Sequence, residues 1–118
     1  MFHFVEVDRE GVLILTLEGG LDATTSPELK AAIVKIAESG RLRVIVDLSK
    51  LTLVDSTGVG VLISLYKRTR AQNGHVCFAG LKGQPREVFK LLRLGKTLEL
   101  ADSLEEAVSR MKGATAAT

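Results

Sequence analysis

Apolar runs and segments of helical period alternate along the whole chain. Residues 2–7 (FHFVEV) alternate partially and predict a short strand, with a turn at 8–11 (DREG). Residues 12–17 (VLILTL) form a nearly continuous apolar run and predict a buried strand; the short connection predicts a hairpin. Within residues 19–40, Leu29, Ile33, Ile36 and Ala37 fall on one face of a helix. Pro27 suits its first turn, Thr25 or Ser26 can cap it, Thr25 and Glu28 have capping-box spacing, and Gly40 can end it. Residues 43–49 (RVIVDLS) predict a strand covered on both faces, because Val44, Ile45 and Val46 are consecutive. A loop is expected over 50–55 (KLTLVD), then a helix over about 57–72, with Val59, Leu62, Ile63 and Tyr66 as its stripe and Asn73-Gly74 as its stop.

The remaining pattern predicts a strand at 75–80, a short helix over 84–95, a last short strand within 97–102 and a helix over 103–111. Ser103 and Glu106 have capping-box spacing. Strands alternating with helices predict a single-domain α/β fold: a mixed, mostly parallel sheet of four to five strands with about four packed helices. The domain is expected to span 1–112, with a flexible tail at 113–118.

Composition narrows the function. A chain of 118 residues with 46% hydrophobic and 25% charged residues can build its own core. One cysteine rules out an internal disulfide, and a lone thiol with no signal-like start predicts a cytoplasmic protein. No apolar run approaches the roughly 20 residues of a membrane span, so no membrane insertion is expected. A net charge of +2 with 4% aromatic residues gives no case for direct nucleic-acid binding. Residues 67–70 (KRTR) and 41–43 (RLR) read as solvated helix ends.

The chemistry concentrates in DSTGVG, residues 55–60. Asp55, Ser56 and Thr57 stand where the central helix begins, and capping by Asp55 or Ser56 is the ordinary use of such residues. Capping leaves Gly58 and Gly60 unexplained, since each glycine costs up to about 1 kcal/mol in a helix interior. Two of them point to a close approach to the backbone. The helix start also offers free N–H groups and the positive end of the dipole, which suit a phosphate. The stretch is neither a P-loop nor a G-x-S-x-G elbow, and His3 and His75 have no partner at metal spacing. No enzyme activity, metal or cofactor is therefore expected. Cys77 reads as a small buried hydrophobe, and Asp22 as an Asx-type turn before the first helix. Asp47, at the end of a buried strand, lacks the acidic pair a phospho-acceptor receiver domain needs after its first strand. It is expected to anchor the loop that carries DSTG.

GLDATTSPEL (20–29), residues 44–74 around VDSTGVGVL, and LRLGKTLELADSLEEAV (92–108), in this order, resemble the STAS domain of bacterial anti-sigma factor antagonists. The resemblance implies phosphorylation at Ser56 by a serine kinase that is itself the anti-sigma factor. It implies that the unphosphorylated form binds this kinase and releases the sigma factor, and that a metal-dependent serine/threonine phosphatase resets the switch. It places Asp22, Asp55, Thr57, Gly58 and Gly60 at the partner surface. The alternative is a STAS subunit of a transport complex, or a sensory scaffold, without kinase control. Such relatives often lack the serine.

Overall fold

The computed structural model describes the backbone of residues 1–116 and the side chains of residues 1–112. The elements are β1 (Phe2–Arg9), β2 (Val12–Leu21), α1 (Ser26–Glu38), β3 (Arg43–Val54), α2 (Ser56–Ala71), β4 (His75–Ala79), α3 (Gly83–Leu91), a 3-10 turn (Leu94–Lys96), β5 (Glu99–Ala101) and α4 (Leu104–Ala116). One five-stranded sheet runs in the order β1-β2-β3-β4-β5; only the β1–β2 pair is antiparallel. The expected mixed sheet and four helices are present.

The hairpin closes where Arg9 faces Val12. Its two turn residues, Glu10 and Gly11, have φ of 56° and 85°. Positive φ at both positions is what a two-residue turn matched to strand twist requires.

Strand period places the core on both faces. Leu13, Leu15 and Leu17 of β2, Val44, Val46 and Leu48 of β3, and Val76 and Phe78 of β4 pack with Leu29 and Ile33 of α1, Leu62 and Leu65 of α2, and Phe89 of α3. Phe78 and Phe89 meet edge to face, centroids 6.4 Å apart. The alternate residues Val12, Ile14, Ile45, Cys77 and Ala79 face Ala107 and Met111 of α4. The consecutive run at 44–46 is thus covered by three helices on one side and by α4 on the other.

Five local expectations are corrected. β2 continues past Leu17 to Leu21, and the expected loop at 50–55 is, as far as Val54, the second half of β3; the two extensions pair with each other, Gly20 with Leu53 and Leu21 with Val54, after register shifts at which β3 carries an extra residue. A backbone at a sheet centre needs partners, and each extension supplies the other's. The helix expected over 84–95 ends at Leu91, and a 3-10 turn follows. Thr25 stands at the N-cap of α1 without a side-chain cap bond, its hydroxyl being used elsewhere (below). The backbone of α4 is helical to Ala116, beyond the expected end at Met111; residues 117–118 of the expected tail lie outside the described residues. At the other end of α4, Ser103 Oγ accepts from Glu106 N–H at 3.1 Å, and the Glu106 carboxylate accepts from Asp102 N–H at 2.8 Å.

Candidate functional site: two strand ends and the start of α2

The pairing of Leu21 with Val54 fixes the site. It brings the carboxyl ends of β2 and β3 side by side, so the segments leaving them begin together. Asp55 N–H donates to Leu21 carbonyl at 3.2 Å across this pair. Asp55 then joins both segments through its side chain. Oδ1 accepts from Gly58 N–H at 2.9 Å, capping α2, and Oδ2 accepts from Ala23 N–H at 3.1 Å, holding the loop before α1.

That loop is braced internally by Asp22. Its Oδ1 accepts from Thr24 N–H at 2.9 Å and from Thr25 N–H at 3.1 Å, an Asx turn as expected. The Thr25 hydroxyl accepts from Asp22 N–H at 3.0 Å and donates to Gly20 carbonyl at 2.9 Å. These amides, Thr25 first, hold the exposed Asp22 carboxyl below its ordinary value.

With Asp55 as the cap, Ser56 occupies the first helical position of α2 and Thr57 the second. Both are exposed, and neither hydroxyl makes a hydrogen bond among the described residues. Ser56 is therefore free of the capping role open to it in the sequence.

The two glycines separate. Gly58 is buried: a Cβ there would lie 2.7 Å from Leu21 carbonyl oxygen, 2.8 Å from Leu21 Cγ and 2.9 Å from Val54 Cγ2. The close approach expected at Gly58 is thus made by the protein's own strand ends, not by a partner. Gly60 is exposed, with nothing within 4 Å of such a Cβ. It borders a groove of about 580 Å³ between α1 and α2 that starts at Ala23 and Thr57 and carries Lys30 and Arg68.

A residue the sequence did not single out completes the site. Gln84, in the first turn of α3, accepts from Val54 N–H at 2.9 Å and donates to Val54 carbonyl at 3.0 Å. β4 pairs with β3 only as far as Asp47, so the outer edge of β3 near Val54 has no strand beside it. The Gln84 amide replaces the missing peptide group. The signal available was the length of a strand that outruns its neighbour, and that length was itself read as a loop.

Asp47 is corrected. It lies within β3, 8% exposed, and Oδ1 accepts from Ser49 N–H at 3.0 Å. The bond lies where the β2–β3 register shifts, and Asp47 does not bond the DSTG turn. Cys77 is buried, and burial pushes its thiol up to about 11. Among the described residues no group of three His, Cys, Asp or Glu side chains could hold a metal ion, and no helix is long and apolar enough to cross a membrane.

The family model that matches this architecture is the STAS domain, over residues 4–107. The chain belongs to that family. BtrV of Bordetella bronchiseptica, provisionally named an anti-sigma factor antagonist, is 30% identical over 105 residues, covering 89% of this chain and 90% of BtrV. The anti-sigma-B factor antagonist of Listeria monocytogenes is 30% identical over 84 residues, 70% of this STAS domain and 72% of that protein. The solved anti-sigma factor antagonist SpoIIAA is similar in its unphosphorylated form (25% identity, TM-score 0.73, 96% of this chain and 99% of that one). It is similar too in its phosphorylated form (26%, 0.71, 94% and 99%). This STAS domain thus stands among anti-sigma factor antagonists, one of which exists in two phosphorylation states.

Proposed function

We propose that this STAS domain is an anti-sigma factor antagonist whose binding is switched by phosphorylation of Ser56. The observation that carries the reading is the division of labour at the start of α2. Asp55 supplies the cap and ties down the loop before α1, leaving the Ser56 hydroxyl exposed and unbonded. The partner is an anti-sigma factor that is also a serine kinase, and a metal-dependent serine/threonine phosphatase reverses the modification. The chain itself acts by binding, without catalysis.

The physics of the switch follows from its place. A phosphoserine adds about −1.5 to −2 charge. At the first position of a 16-residue helix that charge meets the positive end of the dipole, so the fold accepts it. Against a docked partner it would have to be desolvated beside the Asp55 carboxylate, so the interface does not. The partner surface consists of the Asp22 loop, Asp55, Ser56, Thr57 and the open backbone at Gly60, continuing into the groove between α1 and α2. Gly58 serves it from beneath, by letting α2 seat on the strand ends.

The test is incubation with anti-sigma factor kinases and ATP, mass spectrometric location of the phosphate, and calorimetric binding of both forms. Phosphate on Ser56 and binding only by the unmodified form are expected. Phosphate elsewhere, or equal binding of both forms, would refute the reading.

A further inference from the structure

β1 is the outer strand of the sheet, and among the described residues no strand pairs with its free edge. It is eight residues long and pairs with β2 in unbroken register. It carries no proline, lysine or bulge of the kind that closes an edge to further pairing. The turn fixes which backbone groups the edge offers. Arg9 and Val12 close a two-residue turn with positive φ at Glu10 and Gly11, so they form a hydrogen-bonded pair. Alternation then turns the backbone groups of Val7, Val5 and His3 toward β2. It leaves the N–H and C=O groups of Asp8, Glu6, Phe4 and Phe2 on the open edge.

The side chains divide by face. Phe2, Phe4, Glu6 and Asp8 share the face of Leu13, Leu15 and Leu17, the side of α1. His3, Val5, Val7 and Arg9 share the face of Val12 and Ile14, the side of α4. Val12 and Ile14 are buried there, while Val5 and Val7 are 41% and 50% exposed, past the cover of α4. β1 thus joins an open row of backbone groups to two uncovered valines.

A strand that occupies this edge must match it in register, and β1 itself does. A two-fold axis normal to the sheet pairs two copies of β1 antiparallel and sets each residue opposite one on its own face; a slip of one residue breaks that match. With Val5 opposite Val5 of the second copy, Glu6 faces Phe4, Asp8 faces Phe2 and Val7 faces His3. Residues 2–8 then all pair, and no like charges meet. A slide of two residues fails in either direction: one puts Glu6 opposite Glu6, and the other pairs only residues 2–6. A slide of four puts Glu6 opposite Asp8.

We propose that this edge is the interface of a homodimer, in which β1 pairs with β1 of a second copy about a two-fold axis at Val5. The acids select the register, the outward N–H and C=O groups of Phe2, Phe4, Glu6 and Asp8 bond across it, and Val5 meets its own copy on the α4 side. Two five-stranded sheets become one continuous sheet. The two-fold reverses the strand direction, so the Ser56 turns lie at opposite ends of the dimer, each open to its own partner. The proposal concerns a surface away from Ser56 and is independent of the phosphorylation reading.

Sedimentation velocity of the whole chain, from micromolar to millimolar concentration, tests association, and cysteine cross-linking tests the register. A concentration-dependent dimer is expected. Val5→Glu places two carboxylates opposite each other at the axis and should weaken the dimer at least about tenfold. Val5→Cys should oxidise rapidly to a covalent dimer, because facing residues of a non-hydrogen-bonded antiparallel pair lie about 4.5 Å apart at Cα, within disulfide reach. Val7→Cys, which faces His3, should oxidise far more slowly; it is at least as exposed as Val5 and so measures random collision. The native Cys77 is buried and does not compete. A chain that stays monomeric at millimolar concentration overturns the proposal. So do equal rates of cross-linking at the two positions, or an unweakened dimer of folded Val5→Glu, since either outcome would put the contact elsewhere.

Discussion

The Gln84 side-chain amide grips both backbone polar atoms of Val54, the residue just before the Asp55 cap. α3 is thereby bonded to the strand end that launches α2. Gln84→Ala removes both bonds and leaves the Val54 N–H and carbonyl to water, at a cost of about 1 kcal/mol. Amide exchange should quicken at Val54 through Val59 more than in α1 or β1. Uniform quickening, or none at Val54, would show that the amide pair does not hold this turn.

Gly58 and Gly60 should respond to alanine in opposite directions. At Gly58 a methyl meets a carbonyl oxygen 2.7 Å away and two side-chain carbons inside 3.0 Å. Backbone must shift, so Gly58→Ala should destabilise by about 1–3 kcal/mol. At Gly60 the methyl enters open space, and Gly60→Ala should stabilise by up to about 1 kcal/mol. Urea midpoints of the two variants decide this; loss of stability in both would mean that Gly60 too is packed.

The layering was legible because strand and helix periods are strong over 12–17, 29–37, 44–48 and 59–66, where tertiary burial and local pattern agree. The second half of β3 was not. KLTLV contains exposed Lys50, Thr52 and Leu53, and only its pairing with the Gly19-Gly20 segment of β2 makes it a strand. Glycines in β2 read as a breaker when the partner strand is unseen. The same gap hid Gln84, whose role depends on where β3 ends. At the site itself, the sequence placed Asp55 and Ser56 together but could not say which one caps, because both types cap equally well. The bond from Gly58 N–H to Asp55 decides it. The two glycines looked alike in the sequence because burial, not residue type, separates them.

The Asp22 brace is pH-sensitive. Its carboxyl is held below the ordinary 3.8 by the amides of Thr25 and Thr24. A carboxylate with a depressed folded value contributes its stability in full above the unfolded value, and loses it as pH falls through the folded one. The loop before α1 should therefore stay fixed at neutral pH and loosen in acid below 3.8. A carboxyl-carbon NMR titration should place the Asp22 midpoint under that value. A midpoint at or above it would mean that the Asx turn is not populated in solution. Asp22→Asn should flatten the acid limb of the stability curve over the same interval.

Substitutions at Asp55 and Ser56 separate the cap from the switch. Asp55→Ala removes the bond from Gly58 N–H and the bond from Ala23 N–H. Loss of the cap alone costs about 0.5–2 kcal/mol, and the loop before α1 should lose protection with it. Ser56→Ala removes a hydroxyl that bonds nothing among the described residues, so stability should move by less than about 0.5 kcal/mol. Binding follows a different order. Ser56→Ala keeps a neutral surface and should hold the anti-sigma factor while accepting no phosphate. Ser56→Asp places a carboxylate in an interface that must be desolvated, and should weaken binding several-fold, on the scale of a penalty of about 1–3 kcal/mol. The aspartate variant should still fold normally, because a negative charge at a helix start is favourable. If Ser56→Ala proved as destabilising as Asp55→Ala, the cap would belong to Ser56. If both Ser56 variants bound the partner equally and phosphate appeared on Thr57, the switch would belong to the neighbouring hydroxyl.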